Sequence, residues 1–180
     1  MMRRLLPLLA FALLALLLAV GVRMNSGRDT SAIPSPLIGK PMPRFTLPVL
    51  GDPTRKVSDS DLVGRPTLVN VWGSWCPTCR DEQAQLAALA RTRSVRMVGY
   101  NYKDEPADGQ RWLQQFGNPF DLVIADQDGR GALDWGIYGA PETFLVDARG
   151  IVRWKLVGPI TDEVLKDQVL PQIAALESTP

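Results

Sequence analysis

The 180-residue chain has no histidine and only two cysteines. The missing imidazole excludes Ser-His-Asp and Cys-His nucleophilic catalysis. It also excludes copper sites built from cysteine plus histidine. Two cysteines are too few for a disulfide framework, and zinc would need two carboxylates besides them, an uncommon set. Haem attachment needs Cys-x-x-Cys-His, and residue 80 is Arg80. A surplus of charge of one sign is missing too. Net charge is +1; without Arg3, Arg4 and Arg23, which flank an apolar N-terminal run, 17 basic residues face 19 acidic ones. Nothing in this balance calls for nucleic acid, which needs a basic patch. There is no internal repeat. The length suits one domain, and 46% apolar with 22% charged residues is ordinary for a chain that buries a core.

What is present centres on Trp75-Cys76-Pro77-Thr78-Cys79, which holds both cysteines. Thr67 to Trp72 is β-branched and aromatic, bounded by Gly64-Arg65-Pro66 and Gly73, and reads as a buried strand. The residues after Cys76, through about Arg91, read as a helix. Cys76 therefore sits at a helix N-terminus, where unpaired N–H groups and the helix dipole favour an anion. A thiolate is such an anion, and it is the nucleophile of thiol–disulfide exchange. Cys79 lies one turn on, in reach of a mixed disulfide formed on Cys76. An inert structural bridge is the plainer reading, but so short a loop constrains the unfolded chain little.

On the same helix Cys79, Glu82, Leu86, Leu89 and Ala90 share one face at 100° per residue. Glu82 is the odd member. Either it tilts to solvent or pairs with a base such as Arg80, or it is a partly buried carboxylate beside Cys79. In the second case it can accept or return the proton of that thiol, because burial holds its pKa up.

Leu5 to Val22 carries no charge and comes after Met1-Met2-Arg3-Arg4. A cleaved signal peptide would have an apolar stretch of ~7–15 residues, and Ala19-Val20-Gly21 fits a cleavage site. A spanning helix needs ~17–25 apolar residues. The run reaches that range, which favours an uncleaved anchor. Both readings export the rest of the chain, since the basic end stays cytoplasmic. The organisation is then residues 1–23 as membrane anchor or signal segment, 24–38 as a polar linker, and 39–180 as one folded domain.

Within that domain Arg44 to Leu47 alternates like a strand, with Arg55-Lys56-Val57 as partner and a turn at Gly51-Asp52-Pro53. Ser94 to Tyr102 is the next central strand. Pro106 opens a helix with Trp112, Leu113 and Phe116 inside, ended by Gly117-Asn118-Pro119. Asp121 to Ala125 is a strand, followed by a helical turn carrying Leu133 and Trp135. Asp126-x-Asp128-Gly129 has part of a calcium loop but lacks the other ligands. Thr143 to Val146 and Ile151 to Trp154 form a hairpin across Asp147 to Gly150. Thr161 caps a last helix with Val164, Leu165, Val169 and Leu176 inside, and Pro171 interrupts it near Asp167 to Leu170. This alternation predicts an α/β domain with helices on both faces of a central sheet.

Two segments carry a family resemblance. Val71-Trp72-x-x-Trp75-Cys76-Pro77-x-Cys79 resembles the active-site signature of thioredoxin-fold proteins, and Gly139-Ala140-Pro141-Glu142-Thr143 resembles their proline loop. With Asn101-Tyr102-Lys103-Asp104 and Gly136-Ile137-Tyr138, the pattern is similar to the DsbE/CcmG family. Those are membrane-anchored periplasmic thiol:disulfide interchange proteins of cytochrome c maturation. The resemblance runs from about Leu37 to Ile173. It implies a thioredoxin-like fold, with a mixed central sheet, a preceding N-terminal β-hairpin and a single anchor.

The resemblance also implies roles. Cys76 matches the exposed attacking cysteine and Cys79 the resolving one. Pro141 matches a proline held cis beside the disulfide, which leaves the Ala140 backbone free to pair with an extended peptide. Trp75, Pro77, Tyr138, Ala140, Pro141 and Glu142 match the substrate-contacting set, and Glu82 and Glu142 match acidic residues of the site. Core packing is the rival role for Tyr138, and a solvated loop carboxylate for Glu142. Thioredoxins carry a buried Asp six residues before the first cysteine. Here that residue is Asn70, which cannot take a proton, so the task falls to Glu82.

The implied activity is reduction of apocytochrome c disulfides, or of its mixed disulfide, on the periplasmic side of the cytoplasmic membrane. It needs no cofactor or metal beyond the redox disulfide, and a membrane thiol–disulfide donor recharges it. Three rivals stand beside it. One is a general exported reductase, oxidase or isomerase. Another is a thiol peroxidase, although those use Thr-x-x-Cys and Gly73 stands where the Thr would be. The third is a non-catalytic metal or haem chaperone.

Overall fold

The computed structural model describes residues 2–25 and 35–177, with the side chains of 11–23 and 35–176. Residues 26–34 of the expected linker, and the side chains of Leu5 to Ala10 in the expected anchor, lie outside the described residues. The chain divides into two compact units, Met1–Ile33 and Pro34–Pro180. In the first, Met2–Asn25 forms one helix, α1. Among the described residues no helix is long and apolar enough to cross a membrane.

The second unit is built on one seven-stranded sheet. Its strands are β1 (Thr46–Val49), β2 (Asp52–Ser58), β3 (Thr67–Trp72), β4 (Arg96–Tyr102), β5 (Leu122–Asp126), β6 (Glu142–Val146) and β7 (Val152–Val157). The spatial order is β2-β1-β5-β4-β3-β6-β7. β3, β4 and β5 run parallel, while β6 and β7 pair antiparallel at one end and β1 and β2 at the other. The sheet is therefore mixed. Every residue of β3 is buried, Thr67 and Asn70 included, as befits a central strand covered on both faces.

Alternation along β3 splits the core in two. Val69 and Val71 face one cluster with Val98, Tyr100, Phe144 and Trp135. Leu68 and Trp72 face the other, with Met97, Leu145, Leu86 and Trp112. Asn70 shares the parity of this second face and is fully buried there.

The helices cover both faces. They are α2 (Pro77–Asp81), α3 (Gln83–Thr92), α4 (Pro106–Phe116), α5 (Arg130–Asp134), α6 (Asp162–Val164) and α7 (Leu170–Glu177). Leu86 and Leu89 of α3, Trp112 of α4 and Ile173 of α7 pack on the second face. Ala132 of α5 and Leu62 of a 3₁₀ turn, Asp59–Leu62, pack on the first. The helix expected from Cys76 to about Arg91 is thus two helices, broken at Glu82, whose φ of −90° and ψ of −3° leave the regular helical range. Of Leu133 and Trp135, only Trp135 is buried. Thr161 caps the last helical segment through its side chain. Between α6 and α7 the helix widens into a π-turn, Leu165–Val169. Pro171 has no N–H to continue an i→i−4 ladder, and the wide turn lies directly before it. Asp126 does not face outward as a calcium ligand would. It is buried, accepting the Tyr100 hydroxyl at 2.7 Å and the Ala132 N–H at 2.8 Å.

Gly99 in β4 has no room for a methyl group. A Cβ there would stand 2.7 Å from the Phe120 ring and 2.9 Å from Trp72 Nε1. Trp72 stacks on Trp112 and Phe120, with ring centroids 4.9 and 6.2 Å away, so neither ring can yield cheaply. Gly99→Ala should lower stability by about 1–3 kcal/mol through overpacking. Denaturant unfolding should show a lower midpoint at unchanged slope.

Candidate active site

The site forms where β3 runs out. After Trp72 the chain turns through Gly73, and a Cβ on Gly73 would lie 2.5 Å from Trp75 Nε1. Glycine there lets the Trp75 indole fold back over the turn. Its Nε1 donates to the carbonyls of Tyr102 and Lys103 at 3.1 and 3.0 Å. Trp75 stays 49% exposed, with its one polar handle tied down. Asp104 holds the adjacent residue. Its carboxylate accepts the Ser74 N–H at 2.7 Å, the Ser74 hydroxyl at 2.6 Å and the Asn101 amide at 2.8 Å. The β4–α4 connection therefore fixes the approach to Cys76.

Cys76 is the N-cap of α2 and Pro77 is its first residue. Cys76 and Cys79 form a disulfide with Cα atoms 5.4 Å apart. Cys76 Sγ also accepts the Cys79 N–H at 3.1 Å. That bond satisfies a donor that the helix itself leaves free, the kind of donor that favours a thiolate at this position. The expectation of an exposed Cys76 needs correction: it is 3% exposed and Cys79 1%. Both sulfurs belong to the apolar cluster of Trp72, Leu86 and Ile160, with Ala140 packed at its edge. Pro77, Thr78 and Trp75 are the exposed members of the motif.

Glu82 is fully buried. One carboxylate oxygen accepts the Asn70 amide at 2.9 Å and the other the Ile160 N–H at 2.7 Å. Burial pushes its pKa up to about 7, against the lowering effect of the Ile160 and Asn70 donors. The exposed, salt-bridged alternative is thereby excluded. Asn70, which cannot itself carry a proton, orients the group that can. Its Nδ2 also donates to Thr143 Oγ1 at 3.1 Å, and its Oδ1 has no partner among the described residues.

That last bond leads to the proline loop. β6 pairs with β3 so that Thr143 faces Asn70 and Glu142 faces Val71, which brings Pro141 alongside the end of the strand leading to Cys76. The Ala140–Pro141 bond is cis. Pro141 is buried, Ala140 half-buried, and Tyr138 71% exposed, so Tyr138 is not a core residue. Glu142 departs from expectation. It is 1% exposed, so it cannot touch an incoming substrate directly. Its Oε1 accepts the Tyr138 N–H at 3.2 Å, and its Oε2 lies 2.8 Å from Lys155 Nζ as an ion pair without hydrogen-bond alignment. The strand beginning at Glu142 turns that carboxylate inward, where Lys155 balances it.

This constellation has relatives. The chain matches the Redoxin family model over residues 37–170. It is 46% identical to the thiol:disulfide interchange protein DsbE of Allochromatium vinosum over 96% of this chain and 93% of that one. It is also 46% identical to DsbE of Pseudomonas aeruginosa, over 98% and 95%. The chain belongs to the DsbE family. The DsbE-family structure from Chlorobium tepidum, 29% identical, superposes at TM-score 0.62 over 76% of this chain and 97% of that one. The thioredoxin domain of a thiol-disulfide oxidoreductase of Bacteroides vulgatus, 21% identical, shares the fold alone, at TM-score 0.65 over 77% and 99%. The fold is thioredoxin-like. This DsbE-family chain is a thiol–disulfide oxidoreductase with Cys76–Cys79 as its disulfide pair.

Three residues that shape this DsbE site carried no functional reading in the sequence. Asp104 stood only inside a family motif. Asn70 stood as a residue unable to act, and Lys155 did not stand out at all. The signal for Asn70 was available: an amide inside an otherwise apolar central strand needs partners there.

Proposed function

We propose that the domain reduces protein disulfides on the periplasmic side of the cytoplasmic membrane, with the haem-attachment Cys-x-x-Cys-His of apocytochrome c as its client. The observation that carries this reading is the buried Glu82 one turn beyond a disulfide at a helix N-terminus. Cys76 thiolate attacks one sulfur of the client disulfide. A Cys76–client bond forms, and the second client sulfur leaves as a thiolate. Cys79, giving its proton to Glu82, then attacks Cys76 Sγ. The Cys76–Cys79 bond forms, and the first client sulfur departs. Two electrons have passed from the dithiol to the client. A membrane thiol–disulfide donor must return them, because the periplasm is kept oxidising. Trp75, Pro77, Tyr138 and Ala140 form the face that meets the client, with Pro141 beneath it. The name shared by the relatives supports the reading.

The N-terminal helix serves as the anchor in this proposal. Its support is the uncharged run Leu5 to Val22 behind Arg3-Arg4. One experiment tests both parts. A Cys79→Ser form of the full chain, expressed for export, should stay in carbonate-washed membranes and hold apocytochromes c in mixed disulfide on Cys76. A broad mixture of captured proteins would defeat the client assignment, and release by carbonate would defeat the anchor. Equilibration with glutathione checks the direction: a potential as oxidising as about −120 mV is that of an oxidase.

A further inference from the structure

Lys155 lies on β7, the edge strand of the sheet, where a lysine ordinarily points to water and blocks edge pairing. Here the side chain folds under the proline loop and is 8% exposed. Its Nζ donates to the Gly136 carbonyl at 2.9 Å and pairs with Glu142 Oε2 at 2.8 Å. It also lies 5.0 Å from the Tyr138 ring centroid and 4.9 Å from that of Phe144. Burying an ammonium group is costly, and this one is compensated by the Gly136 carbonyl and Tyr138 ring of the loop and by Glu142 and Phe144 of β6.

Residues 136–141 form no helix or strand. Backbone bonds from Gly136 and Ile137 to Leu133 and Ala132 tie down the front of the loop, and Pro141 O accepts from Gly158 at its rear. Between these points the tethers are the Tyr138 N–H to Glu142 and the cation beneath the Tyr138 ring. Without them Tyr138, 71% exposed, has little to fix it.

The geometry points to Lys155 as a positioning residue. It ties Gly136 to Glu142 and seats the Tyr138 ring, so that Tyr138 and Ala140 meet a disulfide-bearing peptide as one preformed face. The cost of ordering that face is met in folding rather than in binding. This inference rests on thiol–disulfide exchange itself and not on the apocytochrome assignment.

The test is steady-state reduction of a synthetic peptide closed by an internal Cys-x-x-Cys disulfide, with dithiothreitol as the recycling reductant. Lys155→Met keeps the length and removes the charge. KM for the peptide should rise about tenfold while kcat changes less than about threefold, since a face that must order on binding weakens binding and leaves the chemistry in place. Lys155→Arg should restore most of the KM, because a guanidinium can also reach the carbonyl, carboxylate and ring. Should Lys155→Met not fold, because Glu142 is left unpaired, Lys155→Met/Glu142→Gln removes that charge and gives the same reading. An unchanged KM in whichever of these folds, an equal fall in kcat, or an Arg variant no better than Met would overturn the proposal.

Discussion

Replacing Cys76 with serine should lower the reduction of a peptide disulfide by at least about 10³-fold, because a hydroxyl cannot supply the thiolate that opens a disulfide. The fold should be unaffected, since the bridge closes a loop too short to stabilise it much. Cys79→Ser should behave differently. It keeps the nucleophile, reacts once, and remains joined to the peptide, because the resolving thiol is gone. Exposure does not separate the two sulfurs, at 3% and 1%. Their positions do. Cys76 is the cap residue and faces the N–H of Cys79, a donor aimed at a sulfur anion, whereas Cys79 lies inside the helix. Alkylation of the two single variants checks this: Cys76 in Cys79→Ser should react with iodoacetamide at lower pH than Cys79 in Cys76→Ser. Equal reactivity, or a Cys76→Ser protein that still turns over, would remove Cys76 from the attacking role.

The parts of this molecule that read clearly from sequence are those with a local cause. β3 is bounded by glycine and proline and filled with β-branched and aromatic residues. α4 opens on Pro106 and closes at Gly117, and Pro171 leaves its mark as a π-turn. Glu82 was legible because a carboxylate interrupted an apolar helical stripe. The break in the helix at Glu82 was not, since no glycine or proline marks it. Its cause is tertiary: the carboxylate is held by Asn70 from β3 and by Ile160 near the far end of the chain. Glu142 misled for a related reason. Beside the exposed Tyr138 it reads as a loop acid, and only the pairing of β6 with β7 shows that it meets Lys155. Phe144 stands opposite Lys155 in that ladder, so Glu142 and Lys155 are diagonal neighbours on one face. Such a contact is set by register, which no window of the sequence contains.

The second large effect belongs to Glu82, and it can be read without any substrate. In the oxidised protein neither cysteine titrates, so the thiols do not contribute to the response of Glu82. Its pKa in the folded state is raised from 4.5 to about 7 by burial. Between those values the folded protein holds a proton that the unfolded chain has released, so stability falls as pH rises through this window. The difference amounts to on the order of 3 kcal/mol by pH 8. Carboxylates held below their usual range, such as Asp61 with its Ser58 hydrogen bonds, act in the opposite sense and at lower pH, around and below 3.8. They do not obscure the window. Glu82→Gln cannot ionise, so the gap between its denaturation curve and that of the native protein should close by about pH 4.5, open between there and about pH 7, and level off toward pH 8. The neutral amide can be accommodated if Asn70 turns its side chain. The unpartnered Oδ1 then accepts from Gln, and Thr143 can donate in place of accepting. Reduced protein supplies the functional half. Resolution of a mixed disulfide by Cys79 should slow about 10²-fold at pH 7 in Glu82→Gln, the usual worth of a positioned general base. The step near pH 7 in its pH profile should vanish. A stability gap that does not change with pH would mean that Glu82 is not buried as a titrating acid. An unchanged pH profile with the stability gap intact would leave Glu82 as a buried acid that serves the fold and takes no proton from Cys79.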